Sequence, residues 1–226
     1  MTVEYAIISI GTLSANRLWG ESASVRTAHA TTTLVRAGER MILVDPSLPA
    51  AALAARFGER TGRTLADVTD VFCTTLRPVH RRSVAALPNA RWWCGELELE
   101  TFRAELEGRL DSAGRLGADE AAALESDLRV LQRFEPAPEK FGEQAAVIPL
   151  PGPTDGSMGL LLTPPTTTIV VAGNAAVTAE HVERGQVWEG CADAKAALRT
   201  LQDMLELADV IVPGHDNLML TPRHWL

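Results

Sequence analysis

The sequence predicts an α/β fold in which two β-sheets pack face to face and helices cover their outer sides. The order of the elements in the two halves of the chain predicts this fold. The first half reads as strands, a helix, another strand and further helices, and the second half is again rich in strands and closes with a helix and a strand. A separate observation concerns the number of domains: composition shows no break along the 226 residues, which favours a single domain over residues 1–226.

The first half begins with a loosely alternating run at residues 3–12, which predicts a strand, followed by a long loop of small and polar residues. Residues 31–48 predict a hairpin, because two β-rich runs flank the turn "AGER" and the second run, "MILVD", is continuously apolar. Residues 49–62 are rich in alanine with apolar residues four apart, which predicts a helix. Residues 68–75 predict the next buried strand.

The middle of the chain predicts a helical insertion. Residues 81–95 indicate a short helix, a Pro-Asn turn and a short strand, "ARWWC". Residues 96–134 are rich in Glu, Ala, Leu and Arg, and they predict two amphipathic helices broken near Gly114–Gly117. Such a charged helical pair is either a solvated face or a surface that covers a site or forms an interface.

The second half predicts strands and then two helices. Residues 135–143 are expected to be a linker, and residues 144–175 alternate strands with a Gly/Pro loop and a Pro-Pro turn. A short helix is predicted at residues 177–185 and a strongly amphipathic one at residues 192–208. The run "DVIVPGH", residues 209–215, predicts a last buried strand that ends in a Pro-Gly-His loop.

Bulk properties exclude several function classes. The net charge is −8 and the pI is about 5.2, which argues against binding to nucleic acid or to an anionic membrane surface. The N-terminus does not resemble a signal peptide, and no run approaches the roughly 20 apolar residues that span a bilayer. We therefore expect a soluble, cytoplasmic protein. Cys73, Cys94 and Cys191 form no zinc-ligand pattern and are expected to be reduced.

Five landmarks in order resemble the metallo-β-lactamase superfamily, in particular its glyoxalase II and lactonase-like members. They are "TTTLVRAGERMILVDPS", "VTDVFCTTLRPVHRRSVAALPNA", "PLPGPTDGSMGLLL", "IVVAGNAAV" and "ADVIVPGH", which together span nearly the whole chain. The resemblance implies a four-layer αββα sandwich. It also implies a cleft at one edge of the sandwich, lined by the loops at residues 75–80, 153–157, 174–178 and 215–217.

The metal-binding segment of that superfamily is altered in this chain. The family segment Thr-His-x-His-x-Asp-His corresponds to residues 74–80. Thr75 and Arg77 stand in place of two histidines and Val79 in place of the aspartate, whereas His80 is retained. Three of the four ligands that this segment supplies in the family are therefore absent.

The later landmarks lose two more ligands. Pro153 stands where the next loop of the family carries a histidine, and Asn174 replaces the aspartate that bridges two metal ions. His215 is retained in "PGH". Asp45 matches the aspartate that braces the family's metal loops, and we expect it to accept backbone N–H groups here.

These substitutions predict that the protein holds no dinuclear metal centre and needs no cofactor. Arg77 carries a permanent positive charge that repels a dication, and Asn174 offers only a neutral oxygen. Arg81 and Arg82 would add charge if they point inward. The alternative is one zinc or other divalent ion on His80 and His215, which would need carboxylates such as Asp155 or Asp216.

The leading functional hypothesis is a degenerate superfamily member, a pseudoenzyme whose cleft is vestigial or binds a small anionic ligand at Arg77, His80 and His215. For Arg77 the alternatives are exposure to solvent or pairing with Asp45 or Asp216. The residues themselves favour a structural role for the two histidines, and His181 and His224 receive no role.

Two other classes of function stay open. One is a hydrolase of small esters, thioesters or lactones that uses one metal or none, with His80 or His215 as the general base. The other is an interaction protein that forms a homodimer or binds a partner through the helices of residues 96–134. The residues leave catalysis open and argue only against a metal-dependent hydrolase.

Overall fold

A computed structural model describes residues 2–111 and 117–222 of the chain. The predicted helix break at Gly114 lies outside the described residues, as does His224. Among the residues described, no helix is long and apolar enough to cross a membrane.

The first sheet has six strands and comes from the first 136 residues. Its strands are β1 (Glu4–Ser9), β2 (Thr32–Ala37), β3 (Arg40–Val44), β4 (Asp70–Phe72), β5 (Arg91–Cys94) and β6 (Phe134–Pro136), which lie side by side in that order. The first three strands are antiparallel, and β3 to β6 are parallel. The carboxyl ends of β3, β4 and β5 therefore meet at one edge of the sheet.

The second sheet also has six strands. They are β7 (Lys140–Gly142), β8 (Ala145–Pro149), β9 (Met158–Leu162), β10 (Ile169–Gly173), β11 (Val210–Pro213) and β12 (Met219–Leu220), in the order β12-β11-β10-β9-β8-β7. Only β10 and β11 pair in parallel, so the loops that follow these two strands also emerge together.

Within residues 2–111 and 117–222, five α-helices join these strands: α1 (Ala50–Thr61), α2 (Glu96–Asp111), α3 (Ala118–Leu131), α4 (Ala179–Glu183) and α5 (Ala194–Leu207). The side chain of Asp193 accepts hydrogen bonds from the first backbone N–H groups of α5, which fixes where that helix begins. Helix α1 ends at Gly62, whose φ of 67° is the left-handed conformation that glycine adopts without strain.

The core is divided into three layers of apolar side chains. One layer lies between the sheets and includes Val44, Phe72 and Leu160. A second layer packs α1, α2 and α3 against the outer face of the first sheet, and a third packs α5 against the outer face of the second. Helix, sheet, sheet and helix are thus stacked in four layers, and the predicted αββα sandwich is confirmed.

Some elements differ from the sequence-based predictions. The short helix expected within residues 81–95 is a single 3₁₀ turn, Val84–Ala86. The expected linker at residues 135–143 contains β7, which is added at the edge of the second sheet by pairing with β8. Two helices lie within residues 96–134, whereas the assignment of the whole chain to one domain with an insertion stays a prediction.

Candidate functional site

The predicted site residues follow four strands at the same edge of the sandwich. Asp45 comes directly after β3, the segment of residues 74–80 after β4, Asn174 after β10 and His215 after β11. Backbone hydrogen bonds join the two halves here: Met158 N donates to Thr74 O at 2.9 Å. A Cβ placed on Gly214 would lie 2.7 Å from the carbonyl carbon of Gly173, so the two loops of the second sheet are in close contact.

Asp45 links the loop after β3 to the loop after β4. Its Oδ1 accepts the backbone N–H of Thr74 at 2.9 Å, and its Oδ2 accepts the hydroxyl of Thr74 at 2.7 Å. The same Oδ2 lies 2.9 Å from Nδ1 of His80, and Asp45 is only 1% exposed. Asp45 has a φ of 50°, a conformation that Asp tolerates better than most residues. This is the bracing geometry that the resemblance implies.

His80 and His215 lie next to each other, with their rings edge to face and their centroids 5.6 Å apart. Nδ1 of His80 donates to Asp45, and Nε2 of His80 is buried and has no hydrogen-bond partner among the described residues. Nδ1 of His215 donates to the carbonyls of His29 at 3.0 Å and Thr12 at 3.2 Å, which leaves Nε2 of the neutral ring as an acceptor.

Burial keeps His215 neutral. Desolvation, together with the neighbouring His80, lowers the pKa of the His215 imidazole to about 3, although the hydrogen bonds to the two carbonyls oppose the shift. An imidazole with that pKa is uncharged near pH 7 and is a weak base. His215 therefore contributes a hydrogen-bond acceptor to the site and no positive charge.

Arg77 points across the cleft toward the second half of the chain. Its Nη2 donates to the carbonyls of Pro153 at 3.1 Å and Gly190 at 3.0 Å, and its guanidinium carbon lies 4.9 Å from the centroid of the Trp188 ring. No carboxylate within 4.0 Å pairs with Arg77 in the described part of the chain. The suggested pairing of this arginine with Asp45 or Asp216 is therefore wrong.

Asn174 presents an unsatisfied acceptor. Its Oδ1 is buried and has no hydrogen-bond partner among the residues described, and the side chain is 6% exposed. Asn174 directly follows Gly173, where an added Cβ would lie 2.2 Å from the hydroxyl oxygen of Thr74. The close approach of this glycine holds Asn174 against the segment that follows β4.

Glu98 is a site residue that the sequence analysis missed. This carboxylate on α2 is 1% exposed, and it accepts the hydroxyl of Thr75, the backbone N–H of Leu76 at 2.8 Å and the hydroxyl of Thr154 at 2.6 Å. Thr75 holds the place of the family's first histidine, and Thr154 follows Pro153. A buried carboxylate thus joins two loops that a metal ion joins in the family. The sequence feature that could have identified Glu98 is its position four residues after the end of β5, at the same edge of the sheet as the other site residues.

Arg81 and Arg82 do not line the cleft described below, and each forms its hydrogen bonds with residues outside the family's metal-ligand positions. Arg81 is buried, donates from Nε to the carbonyl of Leu76 at 2.7 Å, and forms a two-pronged ion pair with Asp127 of α3, with both N–O distances at 3.0 Å. Arg82 is exposed and donates to the carbonyl of Ala28. The extra positive charge that we considered at this position is therefore not directed into the site.

A cleft with a volume of about 300 Å³ opens beside these loops. Its polar lining includes Arg77, Asn174 and His215, and its other lining residues are Leu13, Ser14, Ala15, Arg17, Ser22, Ala23, Ser24, Ala28, Val79, Trp188 and Glu189. His80 lies behind this lining and is fully buried.

The side chains present do not suit two metal ions. Thr75 is hydrogen-bonded to Glu98, Arg77 is cationic, and Pro153 has no donor atom, so the first metal position lacks all three ligands. The second position retains two imidazoles beside a neutral amide. The described residues contain no group of three or more His, Cys, Asp or Glu that could hold a metal ion.

Neither aspartate that was considered as an extra ligand forms a metal-binding group with the two histidines among the described residues. Asp216 accepts the backbone N–H of Ala179 with Oδ2 and that of Asn217 with Oδ1, and Asp155 is exposed. The suggestion that one of them completes a single-metal site is not supported by this geometry.

No protein-family model and no curated protein matches the sequence. Similar solved structures do exist. A protein from Thermotoga maritima that is assigned to the metallo-β-lactamases has a TM-score of 0.72 and 15% identity, over 97% of this chain and 100% of that one. AidC, a dizinc quorum-quenching lactonase solved with the product N-hexanoyl-L-homoserine, has a TM-score of 0.66 and 15% identity, over 97% and 87%.

A third similar structure is the hydrolase AbOPH of the β-lactamase superfamily, with a TM-score of 0.65 and 16% identity over 99% of this chain and 92% of that one. Such identities establish the architecture and do not transfer an activity. The two sheets, their flanking helices and these near-complete superpositions agree with each other. The chain has the metallo-β-lactamase fold.

Proposed function

We propose that this protein binds a small anionic ligand in its cleft through Arg77 and does not work as a dinuclear metal hydrolase. The observation that carries the proposal is the guanidinium of Arg77, which lines the cleft, is partly buried and has no carboxylate partner among the described residues. A permanent positive charge in such a position is best satisfied by an anion that enters the cleft.

The contacts of Arg77 hold its orientation without neutralising its charge. Two carbonyl oxygens, of Pro153 and Gly190, accept from the same Nη2 atom, and the ring of Trp188 lies beside the guanidinium. Carbonyls and an aromatic ring are neutral, so the positive charge is left unbalanced. A fixed guanidinium loses little side-chain entropy when it forms charge-assisted hydrogen bonds to a carboxylate or phosphate.

The chemistry of the remaining side chains argues against the activity of the dizinc relatives. Two cations held close together need a bridging carboxylate, and Asn174 provides a neutral oxygen in that place. A cation at the first position would also face Arg77 directly.

Replacing Arg77 by methionine should weaken anion binding by at least about tenfold, because it removes the charge and both outer hydrogen-bonding edges of the guanidinium. The probes are acetate and inorganic phosphate, titrated while the backbone amide resonances of the protein are followed. Wild-type shifts should be concentrated at the loops of residues 75–80, 174–178 and 188–190.

The matched control is Arg129→Met, which removes an exposed arginine of α3 that pairs with Glu125. It should leave the affinity for both probes unchanged. Equal binding by wild type and the Arg77 variant, or shifts spread over arginines elsewhere on the surface, would contradict the proposal.

A second candidate is a hydrolase of small esters or lactones. It is favoured by His215, which lines the cleft. Two backbone carbonyls accept from Nδ1 of this residue, so Nε2 is unprotonated and can act as a base. Turnover of phenyl acetate or γ-butyrolactone that disappears in a His215→Gln variant, with acetate binding retained, would support this candidate over simple binding.

A further inference from the structure

We propose that the ligand of the cleft carries a hydrogen-bond donor beside its anionic group, which makes it a small α-amino or α-hydroxy acid with an apolar side chain. This inference rests on the proposed binding of an anion at Arg77 and names the class of ligand. The inference is based on one cavity that is lined by a charged donor, Arg77, and by two residues with unpaired acceptor atoms, Asn174 and His215.

Three polar residues that line the cleft also stand at the family's metal-ligand positions, and they are of two chemical kinds. Three serines, Arg17 and Glu189 line other parts of the cleft. Arg77 can only donate hydrogen bonds. Asn174 presents Oδ1, which is buried and unpaired in the described structure, and His215 presents Nε2, whose lone pair follows from the two carbonyls held by Nδ1. A simple carboxylate would satisfy Arg77 and leave both acceptors without a partner.

A ligand without a donor would take from Nε2 of His215 the hydrogen bond that water can give it, and would leave the buried Oδ1 of Asn174 without a partner. A ligand that bears an ammonium or a hydroxyl group next to its carboxylate replaces that bond. The site should therefore discriminate strongly against an analogue that lacks the donor, as sites built to hydrogen-bond a substrate group generally do.

The rest of the cleft indicates the size and polarity of the ligand. Leu13, Val79 and the ring of Trp188 supply apolar wall, and the volume is about 300 Å³. That space suits a molecule the size of leucine better than a long acyl chain or a nucleotide. At the mouth, Arg17 and Glu189 neutralise each other at 3.1 Å, so they add no net charge.

Four probes with one branched carbon skeleton test the inference by calorimetric titration: L-leucine, 2-hydroxy-4-methylpentanoate, 4-methylpentanoate and 3-methylbutylamine. We expect the two acids that bear a donor to bind at least about tenfold more tightly than 4-methylpentanoate. The amine, which lacks the carboxylate, should bind most weakly.

Asn174→Leu removes the acceptor while keeping the branched shape and the number of heavy atoms of the side chain. It should reduce the advantage of L-leucine over 4-methylpentanoate and leave the affinity for 4-methylpentanoate largely unchanged. Asn174→Asp is the second variant, for use if the first does not fold, and it should favour L-leucine over the hydroxy acid because a carboxylate attracts an ammonium group.

The outcomes separate the two levels of the proposal. Equal affinity for L-leucine and 4-methylpentanoate, both lost in Arg77→Met, would overturn the inference about the donor and leave anion binding intact. Absence of binding by every acid, or an amine that binds as tightly as L-leucine, would contradict anion binding itself.

Discussion

Replacement of Glu98 by alanine is expected to lower the free energy of unfolding by about 3–5 kcal/mol. The carboxylate is buried and accepts three hydrogen bonds, from Thr75, Leu76 and Thr154. Removing it leaves these three donors without a partner in a site that is closed to solvent. The variant also loses the link between α2 and the loops on both sides of the cleft.

Chemical denaturation followed by circular dichroism measures this change. Glu98→Gln keeps the shape and one good acceptor, so it should lose a smaller part of the stability. The matched control is Glu100→Ala on the exposed side of the same helix, which should change the free energy of unfolding by less than about 0.5 kcal/mol. Similar effects at positions 98 and 100 would mean that Glu98 does not link the loops.

Replacement of Gly156 by alanine is expected to destabilise the fold by about 2–4 kcal/mol. A Cβ at this position would lie 2.0 Å from the backbone nitrogen of Glu98 and 2.5 Å from its Cα. Backbone atoms of a helix cannot move aside as the end of a flexible side chain can. The loop of residues 153–157 would have to separate from α2, which also weakens the bond from Thr154 to Glu98.

The control for this variant is Gly58→Ala within α1, where the nearest atom to an added Cβ is the carbonyl oxygen of Arg63 at 3.6 Å. That exchange should be neutral or stabilise the protein by up to about 1 kcal/mol, because glycine is unfavourable inside a helix. A Gly156 variant as stable as the wild type would show that the loop does not need this close contact.

The order of the elements could be predicted because it depends on local patterns. The hairpin at residues 31–48 and the closing run "DVIVPGH" are marked by apolar runs and turn residues, and β2, β3 and β11 lie within them. The family resemblance singled out Asp45 as a residue that braces the loops, and in the structure its carboxylate accepts two hydrogen bonds from Thr74 in the neighbouring loop.

The partners of the site residues could not be predicted, because they depend on contacts between distant segments. Arg77 meets the carbonyl of Gly190, 113 residues away along the chain, and Thr154 meets Glu98 across 56 residues. Neither contact leaves a periodic signal in the sequence. Glu98 in particular resembles its exposed neighbours in a Glu-rich helix, and only the packing of α2 against the loops distinguishes it.

The position of Arg81 is a related case. In the sequence Arg81 directly follows His80 at the end of the segment that resembles the family's metal loop, which suggests added positive charge in the cleft. The side chain instead reaches α3 and pairs with Asp127. The helices of residues 96–134 are thus bonded to the loop after β4 at two points, through Glu98 and through Arg81, and they help to hold Arg77 in place.

Metal content tests the central claim most directly. The protein should be purified without chelator, equilibrated with excess zinc, freed of loosely bound ions by gel filtration and measured by elemental analysis. Because Thr75, Arg77, Pro153 and Asn174 replace metal ligands, we predict that it retains well under two metal ions per chain. Retention of about two zinc, iron or manganese ions per chain would contradict the account.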